Sequence, residues 1–215
     1  MDKEKKFEEL CINRKWTIYK IPELPNIKTP DFFVIANNFP FIVEVKNLEE
    51  SGPERKDIEK IEFNGEVKGQ SGDMWKEVDS VARKIDEANN QFKSTKSFNI
   101  PQVVIIYSDR QFVPVDRDIV LPAMYGKVFP RLLIKELANE VKKNYLNLPP
   151  LITDRTLRKD KNSLISAVGF PFKTNGIYLI HNLWSDIILP TSVFNNENDI
   201  NYVPQGIEFN EIKFK

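Results

Sequence analysis

The spacing of apolar residues divides the first half of the chain into clear elements. Phe7, Leu10 and Cys11 recur at helical spacing while lysines and acids fill the opposite positions, which predicts a helix over residues 2–14. Three β-branched and aromatic runs follow, Trp16–Ile21, Asp31–Ile35 and Phe41–Lys46, parted by Pro- and Asn-rich breaks, and each predicts a strand. Residues 47–72 are polar and contain Gly52, Gly65, Gly69 and Gly72, so they read as an excursion with a small hairpin at Asn64-Gly65. From Asp73 to Lys93 a second apolar stripe, Val78, Val81, Ile85, Ala88 and Phe92, predicts a helix with Asp73 as N-cap. Gln102–Tyr107 is almost continuously apolar and predicts a buried central strand. A third helix is expected over Arg131–Tyr145, ending before Pro149-Pro150, and short strands at Ile177–Ile180, Ile187–Leu189 and Ile207–Phe214. Helix, three strands, helix, strand is an α/β order.

Composition narrows the class further. With 215 residues, 41% of them hydrophobic, the chain suffices for one core, and a second independent domain is not expected. The ends show no targeting signal and the longest apolar runs, such as Val103–Tyr107, are too short to cross a bilayer, so no membrane partner and a cytoplasmic location are expected. The single Cys11 excludes an internal disulfide and reads as a small core residue, in keeping with a reducing compartment. Lys plus Arg (31) equals Asp plus Glu (31), so any attraction to nucleic acid must come from local patches rather than a global field.

The candidate chemistry lies in the second and third strands. With the Asn37-Asn38 pair as a tight turn, Ile35 faces Pro40, Phe33 faces Ile42, and Asp31 faces Glu44. Like charges opposed across strands are unfavourable, and more so beside aromatic neighbours, unless a cation lies between them. Strand alternation also puts Glu44 and Lys46 on one face, with Val43 and Val45 on the other. Two carboxylates and a lysine therefore converge, a set suited to holding Mg²⁺, activating water and stabilising charge on a phosphoryl group.

Pro30-Asp31 followed by Glu44-Val45-Lys46 resembles the signature of the PD-(D/E)XK, or restriction-endonuclease-like, superfamily, and the order Glu-Val-Lys-Asn, polar hairpin, tryptophan, helix, apolar strand is similar to its nuclease-related (NERD-like) domains. The resemblance covers residues 1–110 as a nuclease core, leaving 111–215 as a β-containing C-terminal extension packed on the same domain. It implies a restriction-endonuclease-like α/β fold, a central mixed sheet flanked by helices. It also implies Asp31, Glu44 and the Val45 carbonyl as metal ligands, Lys46 as the catalytic lysine, and Mg²⁺ as cofactor, with Mn²⁺ as a substitute. Glu8 of the first helix would be a further ligand, with Glu4 and Glu9 as rivals, and Lys84 and Gln91 of the second helix would support the site. The activity implied is endonucleolytic hydrolysis of DNA to 5′-phosphate and 3′-hydroxyl ends, with a homodimer as one way to cut both strands. The alternatives are a sequence-specific restriction enzyme, or an inactive nuclease fold that still binds DNA or protein.

Other features are weighed against this. An ExK triplet alone is commonly a solubilising charge pair on an exposed strand, but FIVEVK is too apolar for an exposed position. The lone His181 excludes His-cluster metal chemistry, Gly176-Ile177-Tyr178 lacks the second half of the GIY-YIG signature, and there is no P-loop. Arg131, Lys135 and Lys142, with Arg155, Arg158, Lys159 and Lys161 after them, form a basic set that is either a solvated face or a phosphate-contacting surface for DNA.

Overall fold

The computed structural model describes residues 2–49, 74–109, 115–129, 151–153 and 161–204. Its elements are α1 (Lys3–Asn13), β1 (Thr17–Lys20), β2 (Phe32–Ala36), β3 (Phe39–Leu48), α2 (Met74–Phe92), a 3-10 turn (Lys93–Phe98), β4 (Gln102–Ser108), α3 (Arg117–Tyr125), β5 (Lys127–Phe129), β6 (Leu151–Thr153), β7 (Ile165–Phe172), β8 (Gly176–His181) and β9 (Ile200–Tyr202). Seven strands form one mixed sheet in the order β1-β2-β3-β4-β7-β8-β9, and β5 pairs with β6 separately. The chain is thus an α/β protein with a mixed sheet flanked by helices.

The meander β1-β2-β3 is antiparallel, whereas β3, β4 and β7 run parallel at the centre. The β2–β3 hairpin has the register expected from the sequence, Phe33 opposite Ile42 and Ile35 opposite Pro40. Its turn residues, Asn37 and Asn38, have φ of 51° and 63°, the left-handed conformation that a two-residue hairpin turn demands and that Asn adopts more readily than most residues. Asn37 also donates to the carbonyls of Ser192 and Val193, tying the hairpin tip to the C-terminal half.

Strand alternation separates two cores. One holds Ile42 and Leu48 of β3 with Val78, Val81, Ile85, Ala88 and Phe92 of α2 and the buried residues of α3. The other holds Phe7, Leu10 and Cys11 of α1 against Phe32, Val34, Phe41 and Val43. Hence α1 covers one face of the sheet, α2 and α3 the opposite one. Cys11 is fully buried and burial pushes its thiol up to about 12, which makes it an inert core residue as expected.

Some expectations fail for local reasons. Ile187–Leu189 is not a strand: Ser185 and Ser166 hydroxyls both donate to the Ile187 carbonyl, and the Ser185 hydroxyl accepts from the Ile187 amide, so side chains replace the ladder bonds a strand would make. The helix Arg117–Tyr125 was not anticipated because it contains Pro122, yet Asp116 caps it by accepting from the Asp118 and Ile119 amides. Strand β7 hides behind Gly169 and Pro171. Gly169 is there because a Cβ would lie 2.9 Å from Leu179 Cδ1 and 3.0 Å from Ile105 Cδ1 of the neighbouring strands. The expected hairpin at 64–65, the Asp73 cap, the helix Arg131–Tyr145 and the strand Ile207–Phe214 lie outside the described residues. Among the described residues no helix is long and apolar enough to cross a membrane.

Strands from both halves of the sequence share the sheet, and a buried ion pair ties the end of α1 to the segment before β9. Arg14, at the end of α1, meets Asp199 in two hydrogen bonds of 2.6 and 2.8 Å, and Asp199 also accepts from the Ile177 amide at 2.9 Å. Both side chains are almost fully buried, so removing one leaves an uncompensated charge. Asp199→Ala is expected to cost about 3–5 kcal/mol of unfolding free energy, read as a lowered urea midpoint. Asn38→Ala should cost about 1–2 kcal/mol by forcing Ala into the left-handed region, whereas Asn38→Gly should be neutral in the same assay.

Candidate active site

Asp31 immediately precedes β2, and its carbonyl accepts from the Ile21 amide at 2.8 Å, so β1 pairing extends past the formal strand end. Continuing the β2–β3 register from Phe32 opposite Val43 brings Asp31 opposite Glu44. Alternation then puts Asp31, Glu44 and Lys46 on the α2 side of the sheet. The side chains agree with this: Lys46 Nζ lies 2.6 Å from Glu44 Oε1 and donates to Gln91 Oε1 of α2 at 2.5 Å. Gln91 in turn donates to the Thr29 carbonyl at 3.2 Å, which fixes its amide between β3 and the segment leading to Asp31.

Asp31 accepts from the Val45 amide at 2.7 Å. The Ile42 amide points the other way, to the Pro101 carbonyl before β4, so odd-numbered residues of this stretch direct their backbone groups toward β2. The Val45 carbonyl therefore projects to the same edge as its amide, beside Asp31 and beyond the last β2 pair.

This site is costly to ionise. Glu44 is 2% exposed, and with both acids charged its Oε2 has no hydrogen-bond partner. Burial, then the Asp31 charge, raises the Glu44 carboxyl to about 7 against the pull of Lys46. Burial likewise raises Asp31 to about 6, with Glu4 adding repulsion and the Val45 amide and Lys46 opposing it. The sequence expected an uncomfortable acid pair, and the pair exists: a proton held on Glu44 is shared with Asp31, and with both acids charged one Glu44 oxygen is left without a bond.

Above the site opens a cleft of about 380 Å³ between the β1–β2 connection and α2, lined in part by Ile21, Leu24, Ile27, Asp31, Lys46 and Gln91. Glu87 and Lys28 also reach it, and neither was picked out by motif. Glu87 lies four residues before Gln91, one helical turn away, which is the signal that would have found it.

The other candidates are dispersed. Lys84 pairs with Glu87 at 3.1 Å and does not line the cleft. Glu8 sits on α1, whose apolar residues pack on the sheet face opposite to Glu44. The α1 acid that Asp31 feels is Glu4, held 2.8 Å from Lys20 Nζ. His181 ends β8 with Nε2 3.1 Å from Asn201 Oδ1, a satisfied buried histidine. Of the basic set, Lys161 pairs with Asp86 at 3.2 Å, whereas Arg131, Lys135, Lys142, Arg155, Arg158 and Lys159 lie outside the described residues.

Among the described residues no cluster of three or more His, Cys, Asp or Glu side chains forms a metal cage. Two carboxylates, one with an orphaned oxygen, plus a backbone carbonyl and room for water nevertheless fit Mg²⁺. That ion is ordinarily held by one or two carboxylates and keeps several waters. No protein-family model, curated protein or solved structure matches the chain.

Because the folded state holds protons on Asp31 and Glu44 that the unfolded chain has released by about pH 5, stability should fall as pH rises from about 4 to 7 and then level off. Glu44→Gln should flatten that slope, and thermal melts across pH 4–8 in EDTA would record it; an unchanged slope would remove Glu44 from the titrating pair.

Proposed function

We propose that the protein is a Mg²⁺-dependent endonuclease of PD-(D/E)XK type that hydrolyses DNA phosphodiester bonds. The observation that carries this reading is the opposed Asp31–Glu44 pair: Asp31 and Lys46 line an open cleft, and behind them lies buried Glu44 with one oxygen unpartnered. A fold has no evident need for two opposed buried carboxylates, since apolar residues of similar size would be as stable or more so. A binding site for a hard cation does need them.

In this reading Asp31, Glu44 and the Val45 carbonyl hold Mg²⁺ or Mn²⁺, which lowers the pKa of a bound water and neutralises charge on the phosphoryl oxygens. Lys46 has its ammonium fixed by Glu44 and Gln91, so it enters the reaction already oriented. Its side chain is 13% exposed, enough to meet a phosphoryl oxygen or the attacking water from the cleft. There its positive charge favours the transition state, in which negative charge spreads over the phosphoryl group. Gln91 is a positioning residue, bonded at one end to Lys46 and at the other to the Thr29 carbonyl.

Incubation with supercoiled plasmid in Mg²⁺, Mn²⁺ or EDTA tests the proposal. Cutting is expected only with metal, and Glu44→Gln and Lys46→Ala should each lower the rate by about 10²–10⁴-fold. Fragments of defined length would mark a sequence-specific enzyme, and a smear or nicks a non-specific one. At pH 8 Mg²⁺ should also raise the melting temperature, since a ligand at 100 times its Kd stabilises by about 2.7 kcal/mol, and Glu44→Gln should lose this shift. Failure to cut and failure to be stabilised by either ion would together refute the assignment.

A further inference from the structure

The α2 side of the sheet is only partly covered near the candidate site. Tyr19 of β1 pairs with Phe33 of β2, and Ile21 bonds to Asp31 one step further along, so Tyr19, Phe33, Ile21 and Asp31 share one face. Tyr19 and Phe33 therefore lie about 7 Å along their strands from Ile21 and Asp31 respectively, two residues at 3.3–3.4 Å each. Their rings contact each other at 6.3 Å between centroids, tilted by 36°. Phe33 leans on the α2 core, but Tyr19 is 59% exposed on an edge strand. On the other side of Asp31 the cleft wall presents Leu24 and Ile27, each 51% exposed, from the tight turn around Asn26.

Cross-strand stacking with Phe33 accounts for one side of the Tyr19 ring and leaves the rest in water. An exposed Tyr19 ring backed by half-buried Phe33 on one side of the proposed site, and exposed aliphatic side chains on the other, match a strand whose bases are turned outward, with flat apolar rings on each side of a phosphate. A paired duplex keeps its base faces stacked inside and offers no such rings. The mixed charge of the cleft, Lys20, Lys28 and Lys46 against Glu23, Asp31 and Glu87, also gives little purchase for a phosphate backbone alone, so stacking must contribute.

We propose that this face binds single-stranded DNA, with one base stacked on Tyr19 and Phe33 and the adjoining phosphate directed to Asp31 and Lys46. The inference rests on the nuclease reading for its choice of phosphate site, but the stacking platform is testable without cleavage. The measurement is fluorescence anisotropy of the whole protein with a labelled oligo(dT) strand in EDTA, beside a hairpin duplex of equal length and an oligo(dT) bearing abasic residues.

Wild type should bind the single strand more tightly than the duplex or the abasic strand. Tyr19→Ala should weaken single-strand binding by roughly 5- to 150-fold, the usual effect of removing one stacked base contact. Tyr19→Phe should restore it, and neither exposed substitution should alter duplex binding. Equal affinity of wild type for dT and abasic strands, or Tyr19→Ala binding as wild type does, would overturn the proposal even if duplex plasmid is cut. Conversely, Tyr19-dependent binding together with no metal-dependent cutting and no stabilisation by either ion would uphold the platform and refute the nuclease reading.

Discussion

Two opposed carboxylates, one buried and one at the wall of a cleft, constrain the organisation around the β2–β3 hairpin. Asp31 and Glu44 oppose each other because the Asn37-Asn38 turn permits only that register, and burial makes their ionisation expensive. Three groups offset part of this cost: the Lys46 ammonium and the Gln91 side chain beside Glu44, and the Val45 backbone N–H that Asp31 accepts from. None of them satisfies Glu44 Oε2. The remaining imbalance separates this arrangement from an ordinary buried ion pair, because a buried acceptor without a partner costs about 1–3 kcal/mol.

The rest of the fold serves to hold that imbalance in place. Parallel strands β3, β4 and β7 form the centre of the sheet, and α2 crosses over β3 and β4 to deliver Gln91 to the site. On the far face α1 seals the aromatic core of Phe7, Phe32 and Phe41. The C-terminal half contributes β7, β8 and β9 to the same sheet and grips the hairpin tip through Asn37 and the end of α1 through Arg14. Residues up to 110 carry the candidate chemistry, yet their central strand β4 finds its second neighbour only beyond residue 160.

What the sequence determined by itself was local in origin. Periodicity located α1, α2, β4 and the hairpin strands within a residue or two, since a continuous apolar stripe or alternation needs no partner to be read. Turn chemistry then set the hairpin register, and with it the meeting of Asp31 and Glu44. Of the elements that escaped, β5, β6, β9 and the 3-10 turn are too short to show a period, while β7 with Gly169 and Pro171 and α3 with Pro122 contain residues whose local preference opposes the structure they adopt. Packing against Ile105 and Leu179, and a cap from Asp116, outweigh that preference.

Only the tertiary structure decided which helix residues meet the site. Gln91 and Lys84 share an edge of α2, but seven residues of rise along the helix, about 10 Å, leave one against Lys46 and the other in an ion pair with Glu87. The packing of α1 likewise left Glu4, paired with Lys20, as the helix acid felt by Asp31. Such choices depend on how elements pack over one another across long sequence separations, and hydrophobic periodicity fixes which side of a helix is buried without fixing what it is buried against.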